Sequence, residues 1–290
     1  MSQPRLLKAS PVIKEKRKQV SEQIEQLKEK GLHPHLKIVR VEGNKACESY
    51  SQAAQRVMNK VGGRVSEDLF PEDVTEETLL AEVSRLNKDE DAHGIIIMQP
   101  LPWHIDRQKV ADQMDPLKDV DGMTTLNLGR VTEDNDRALL PSTPKAVMEM
   151  LDHYEIDVEG LDVCVVGKSN SVGKPLNLLL LNRDATVTNC HKATRDLKKY
   201  TQTSDVVVTA TGVVDLITKD HIKPGATVID VGYNFKDGKI CGDVSFDEVA
   251  EIAGAITPVP GGVGSVTTTS LGEQVVQACM LQHGLFDHEN

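Results

Sequence analysis

Leu161-Asp162-Val163-Cys164-Val165-Val166 runs into Gly167-Lys168-Ser169-Asn170-Ser171-Val172-Gly173-Lys174-Pro175 and then into an apolar run through Leu181. A β-branched strand, a glycine turn and a helix in that order are the context of a dinucleotide-binding loop. Gly167 can make the tight turn, and N–H groups at the helix start can hold a pyrophosphate. Ser169 and Val172 stand at the second and third glycine positions of G-x-G-x-x-G, so an ordinary strand–helix turn remains the alternative. The following strand ends at Cys190-His191-Lys192, where an NAD enzyme usually carries an acidic residue for the ribose hydroxyls. Lys168 and Lys192 instead suit a 2′-phosphate, which favours NADP, with NAD possible. The alternatives are two solvated lysines and a structural His191. Gly167, Lys168, Ser169, Val172, Gly173, His191, Lys192, Thr211 and Gly212 are the candidate cofactor-binding residues.

Outward from this loop, strand-sized apolar runs recur at 162–167, 185–190, 205–212, 226–232 and 255–259, the rhythm of a doubly wound domain. Upstream, Ser10, Pro11 and Gly31 bracket a predicted helix. A strand over 35–41, a helix over 45–61 ended by Gly62-Gly63, a strand near Val65, a helix over 75–86 and a strand over 94–98 follow. Alternation of this kind argues for parallel βαβ units. Residues 115–144, rich in Asp, Asn, Gly, Thr and Pro, read as loops linking two domains, and 270–283 reads as a closing helix.

The 290 residues fit two domains, and 33 basic against 44 acidic residues leave a net charge of −11. A field of that sign disfavours nucleic acid and anionic membrane as partners. Aromatics at 3% are too few for stacking platforms along a single strand. No apolar run approaches a membrane span, and the first five residues lack a signal-peptide pattern. The five cysteines, odd in number and never spaced C-x-x-C, argue against a disulfide framework or a zinc ribbon. A cytoplasmic α/β protein without a metal is therefore expected.

Five markers occur in one order: Gly94-Ile95-Ile96-Ile97-Met98-Gln99-Pro100-Leu101-Pro102, Lys118-Asp119-Val120-Asp121-Gly122, Pro141-Ser142-Thr143-Pro144, the loop from Gly167 to Pro175, and Thr257-Pro258-Val259-Pro260-Gly261-Gly262-Val263-Gly264. With them the chain resembles the methylenetetrahydrofolate dehydrogenase/methenyltetrahydrofolate cyclohydrolase family over nearly its whole length. The resemblance implies a folate-binding catalytic domain of residues 1–140 and 268–290, a Rossmann NAD(P)-binding domain of residues 141–267, and a cleft between them. It implies a homodimer formed through the Rossmann domains, with one-carbon tetrahydrofolates as substrates. It also implies that Tyr50 packs on the folate ring and Asp121 bonds the pterin's amide edge, and that Pro260, Gly261 and Gly262 approach pterin and nicotinamide. Taken without the resemblance, Tyr50 reads as a half-buried core tyrosine, Asp121 as a turn former and the Pro-Gly-Gly run as a tight connection.

Several positions depart from the family pattern. Ala54 stands four residues after Tyr50, where the family has a lysine, and Met98 stands at its glutamine. Gln99 is expected to face the opposite side of the strand. Lys192 replaces a serine, and Ser265-Val266 replace Pro-Met. Lys45 lies five residues before Tyr50, about 140° away around a helix, and is a poor substitute amine. Three functions fit: an NADP-dependent dehydrogenase whose cyclohydrolase step is weak or lost, a conventional bifunctional enzyme making 10-formyltetrahydrofolate, and a catalytically silent folate or nucleotide binder.

Overall fold

The computed structural model describes residues 3–286; residues 1, 2 and 287–290, which fall in the expected folate-binding segments, lie outside the described residues. In chain order the elements begin β1 (Arg5–Leu6), α1 (Ala9–Glu29), β2 (His35–Val41), α2 (Lys45–Val61), β3 (Arg64–Phe70), α3 (Glu76–Lys88) and β4 (Gly94–Ile97). Helices α4 (Arg107–Asp112), α5 (Thr125–Thr132) and α6 (Ser142–His153) follow. Next come β5 (Asp162–Val166), α7 (Gly173–Leu181), β6 (Thr186–Cys190), α8 (Lys198–Thr201), β7 (Val206–Thr209) and β8 (Thr227–Asp230). The chain closes with β9 (Asn234–Lys236), β10 (Lys239–Cys241), α9 (Phe246–Ala250), β11 (Ala255–Ile256) and α10 (Val263–Gln282). It divides into two compact units, Lys14–Ser142 with Thr268–Asn290, and Met1–Ile13 with Thr143–Thr267.

The first unit carries a parallel three-stranded sheet in the order β3-β2-β4. Helix α2 forms where the sequence signals it. Asn44 Oδ1 accepts the Ala46 and Cys47 N–H groups at 2.9 and 3.1 Å, and Gly62 ends the helix at φ +87°. Its buried residues include Cys47, Ser51, Ala54 and Met58, spaced three and four apart, so one face meets the core. That core joins Leu36, Ile38, Ile96, Leu139, Leu271 and Val275, which brings the carboxyl part of α10 onto the N-terminal elements.

The second unit is built on an all-parallel six-stranded sheet, order β1-β11-β8-β7-β5-β6. Residues 3–13, expected with the folate-binding segment, belong here instead. Arg5 and Leu7 donate N–H bonds of 2.9 Å to Gly254 and Ile256, and the fully buried Leu7 enters the apolar cluster of Val163, Val165 and Ile229. A two-residue strand carries no periodicity that a sequence reading can detect.

Two further expectations change. Helix α10 starts at Val263 rather than at residue 270, because Gly264 and a run of Ser and Thr hide its beginning. Residues 115–144 are not simply linker; they include α5 and the start of α6. Asp119, fully buried, accepts N–H bonds from Met123 (3.0 Å), Thr124 (2.8 Å) and the Asn127 side chain (3.0 Å), and so folds the segment onto itself. Asp119→Ala leaves these buried donors unpaired and is expected to cost roughly 2–4 kcal/mol, read from urea denaturation of the full chain. A loss under about 0.5 kcal/mol would show that Asp119 does not hold the segment.

Candidate functional site

At the carboxyl edge of the six-stranded sheet, Val166 pairs with Cys190 on one side and Thr209 on the other. The candidate cofactor residues on the ends of β5, β6 and β7 are thereby neighbours. Beyond β6 the chain returns across β5 to form β7, so Gly167 sits at a topological switch point. Gly167 has φ +140°, and a Cβ there would lie 2.5 Å from the Ala210 carbonyl oxygen. A Cβ on Gly173 would lie 2.1 Å from the Gly167 carbonyl oxygen. The close approach of helix to loop therefore occurs at Gly173, one residue beyond the position that Val172 fills in the G-x-G-x-x-G alignment. The Ser169 hydroxyl accepts the Val172 and Gly173 N–H groups at 3.1 and 3.4 Å, taking over the turn-shaping role of the missing glycine. Lys168 and Lys192 are exposed beside this edge. His191 closes its own turn, with Nδ1 accepting the Ala193 N–H at 3.2 Å, as its structural reading anticipates.

Sequence reasoning missed the groups that hold this edge. Asp243, fully buried, accepts at Oδ2 from Thr211 N (2.6 Å), Thr211 Oγ1 (2.8 Å), Thr209 Oγ1 (3.1 Å) and Gly212 N (3.3 Å), fixing the Thr211-Gly212 turn. Asp230 in turn accepts from Gly232, Asp243 and Val244 N–H groups at 2.8 to 3.0 Å. The signal was available: a lone aspartate in an apolar strand, with Gly232 and Gly242 leaving the space the carboxylates need. Asn189 Nδ2 bonds the Gly167 carbonyl at 2.7 Å and ties the loop to β6. Pro260, Gly261 and Gly262 follow β11 at the same carboxyl edge. Gly261 adopts φ +102°, and a Cβ on Gly262 would come within 2.5 Å of the Pro258 carbonyl oxygen.

The other candidates lie in the first unit. Tyr50, half-buried, packs against the apolar cluster that contains Ala54 and Met98, 0% and 3% exposed. Ala54 and Met98 are thus brought together with Tyr50, in surroundings of Cys47, Met58 and Val120. Gln99 departs from the face-alternation argument. Strand β4 ends at Ile97, and Gln99 Oε1 accepts the Leu101 N–H at 3.3 Å in the turn beyond. Lys45 is exposed at the first residue of α2. Asp121 is partly buried, and its Oδ1 accepts the Ser142 hydroxyl at 2.8 Å. Burial pushes its pKa up to about 6, opposed by the Ser142 bond. Gly122, at φ +58°, turns the chain against the Pro141 backbone, where a Cβ would be 2.5 Å from nitrogen. Within the same marker, Lys118 is structural: its ammonium donates to the Leu86, Asn87 and Asp89 carbonyls at 3.1, 3.0 and 2.7 Å, closing the end of α3.

A parallel sheet with a glycine turn at its switch point, in a chain that also carries a second α/β unit, defines a two-unit protein of the Rossmann dinucleotide-binding class. The chain belongs to the tetrahydrofolate dehydrogenase/cyclohydrolase family. The model of that family's catalytic domain matches residues 7–121, and the model of its NAD(P)-binding domain matches residues 141–283. A relative from Anoxybacillus flavithermus named "Bifunctional protein FolD" is 44% identical over 94% of this chain and 96% of its own length. A crystal structure of a bifunctional FolD dehydrogenase/cyclohydrolase from Campylobacter jejuni superposes with TM-score 0.94 at 37% identity, over 96% of this chain and 99% of that one. The Trypanosoma brucei enzyme, described as complexed with NADP cofactor and inhibitor, gives TM-score 0.93 at 34% identity over 98% and 99% of the two chains.

The raised Asp121 pKa has a defined consequence for stability. The folded state holds this proton more tightly than the unfolded chain, whose carboxyl titrates near 3.8, so its contribution is full below about 4 and is lost as pH rises through about 6. Asp121→Asn removes that titration. Urea midpoints from pH 4 to 6.5 are expected to fall less in this variant than in the parent, and parallel profiles would contradict the assignment.

Proposed function

We propose that this chain oxidises 5,10-methylenetetrahydrofolate to the 5,10-methenyl form with NADP, and that its hydrolysis of the methenyl ring is weak. The relatives' names favour the conventional two-activity reading, in which 10-formyltetrahydrofolate is the final product. The observation that carries the weaker hydrolysis is the placement of Ala54 and Met98 together in an apolar cluster beside Tyr50.

The loop geometry fits a dinucleotide: the close Gly167–Gly173 contact opens a backbone cradle that any Cβ would fill. NADP, when bound, supplies the hydride acceptor. The protein's own task in that step is orientation, because the transfer moves a hydride and asks no side chain for a proton. Tyr50 offers a ring face to the folate, and Asp121, once ionised, accepts the donor pair of the pterin's amide edge. The Pro260-Gly261-Gly262 turn brings backbone close to both ring systems. Hydrolysis differs, because water adds to an amidinium carbon and a proton must reach the departing nitrogen. A methyl group carries no proton and a thioether is only a weak acceptor, so the chain has no acid–base group at either family position.

Homodimerisation is part of this reading. The hairpin β9–β10 and the residue before it expose Tyr233 (62%) and Phe235 (67%), an aromatic pair suited to burial against a second copy. Sedimentation at the mass of one 31.8 kDa chain would exclude the dimer. A one-carbon folate metabolism confined to the cytoplasm accords with the acidic composition and the absence of membrane-length helices among the described residues.

One assay tests the activity: methylenetetrahydrofolate with NADP or NAD, following methenyl and formyl products separately. Reduction of NADP with methenyl accumulating is expected, with hydrolysis about 10²–10⁴-fold below that of a lysine-bearing relative. Rapid conversion through to formyl product would establish the conventional enzyme, and binding without turnover the silent one. Ala54→Lys with Met98→Gln is expected to raise hydrolysis more than either change alone, since a buried ammonium needs a hydrogen-bonding neighbour. Lys192→Glu is expected to raise KM for NADP far more than for NAD. Equal effects would show that Lys192 does not read the 2′-phosphate.

A further inference from the structure

Away from the residues discussed so far, the end of α10 meets the start of β4 at a second cluster of chemistry-bearing side chains. His93, Cys279 and His283 bring one potential ligand atom each to within 4.8 Å of one another. Cys279 lies in the last turn of α10 and His283 just past its end, with the His283 ring folded back on the Cys279 carbonyl. His93 comes from the opposite end of the first unit's sequence, in the residue before β4. His93 is 4% exposed, and its Nδ1 has no hydrogen-bond partner among the described residues, an orphaned buried nitrogen that calls for an explanation.

We propose that His93, Cys279 and His283 form a binding site for a borderline-soft divalent cation of the zinc class. One thiolate and two imidazoles are the donor set such an ion prefers, and three protein ligands leave a fourth position for solvent. Bond lengths of about 2.0–2.3 Å put tetrahedral ligand atoms about 3.3–3.6 Å apart, so closure from the present spacing asks side-chain rotations worth about 1 Å. The surrounding bonds already set the rings. His283 Nδ1 lies 2.9 Å from the Cys279 carbonyl oxygen, which places the proton on Nδ1 and leaves Nε2 with its lone pair. Gln282 Nε2 donates to the His93 and Leu117 carbonyls at 2.7 and 3.0 Å, clamping the helix end to the strand start.

Burial gives the site its entry and its charge balance. Cys279 is fully buried, while His283 is exposed and offers the way in from solvent. His93, buried at the inner end of the cluster, offers a ring nitrogen on the side away from solvent. Coordination replaces the Cys279 thiol proton, which leaves to solvent as the cation–thiolate bond forms. The bound ion links residues 190 positions apart, 93 and 283, and acts as a staple between α10 and the sheet of the first unit. It is separate from the positions proposed for folate and nucleotide.

The test uses the full chain, stripped with a chelator and titrated with Co(II) as a spectroscopic stand-in, then with Zn(II). Binding of one Co(II) per chain is expected, with a thiolate-to-cobalt charge-transfer band and the visible bands of four-coordinate cobalt. Cys279→Ser removes the charge-transfer band. His283→Ala, at an exposed position that tolerates substitution, weakens binding at least about tenfold. Zn(II) raises the thermal midpoint of the parent but not of His283→Ala. Cys241→Ser, outside the cluster, leaves the spectrum unchanged. Failure to bind one equivalent, or a spectrum that follows Cys241 or survives loss of His283 undiminished, would overturn the site.

Discussion

Three aspartates that meet backbone N–H groups inside the protein hold the loops next to Asp121 and the Thr211-Gly212 turn. Asp119, Asp230 and Asp243 are 0%, 3% and 0% exposed, and N–H donors occupy their oxygens. Taking a carboxylate out of water costs several kcal/mol unless hydrogen bonds replace its hydration. Here the replacement comes from the turns themselves, so each turn keeps its shape only while its aspartate is in place. Burial raises the pKa of Asp119 and Asp230 while the same N–H bonds oppose the rise, a direct sign of how closely the two effects are matched.

These anchors supply what hydride transfer needs, fixed geometry without a proton carrier. Asp119 shapes the segment that presents Asp121, and Asp243 shapes the Thr211-Gly212 turn beside the dinucleotide loop. The Gly167–Gly173 approach adds a contact that no side chain can replace. All three features lie inside the loops, while Lys168 and Lys192 are exposed beside the same edge and take no part in holding it.

Much of this framework was legible because it has a period or a punctuation mark. Helix α2 was read over 45–61 with its stop at Gly62-Gly63, and β2 was read over 35–41, both as the structure has them. The glycine turn after β5 declared the second unit. What stayed hidden lacks a local signature. The pairing of Arg5 with Ala255 joins residues 250 apart, and α5 sits in a stretch whose Asp, Asn and Gly content mimics a linker. The roles within Lys118-Asp119-Val120-Asp121-Gly122 were also hidden. Only contacts distinguish a lysine capping α3 and an aspartate folding a loop from the aspartate left partly open at Asp121. The metal-ligand cluster escaped for the same reason, since His93 and Cys279 meet only through the packing of α10.

On the proposed function, the family's two half-reactions make different physical demands on this chain. Orientation is carried by buried carboxylates, glycines and turn backbone, distributed over both units and insensitive to any one exposed side chain. The positions at which the family pattern has its lysine and glutamine fall instead in one apolar cluster, where Cys47, Ala54 and Met58 share a helix face and Met98 completes the surroundings. An ionisable group on that stripe has to be desolvated to be useful, and a desolvated group is costly when its partner is absent. Replacing both members by apolar side chains removes that cost altogether and leaves a well-packed core. Apolar residues at these two positions are thus compatible with a stable unit in which Tyr50 packs against the same cluster.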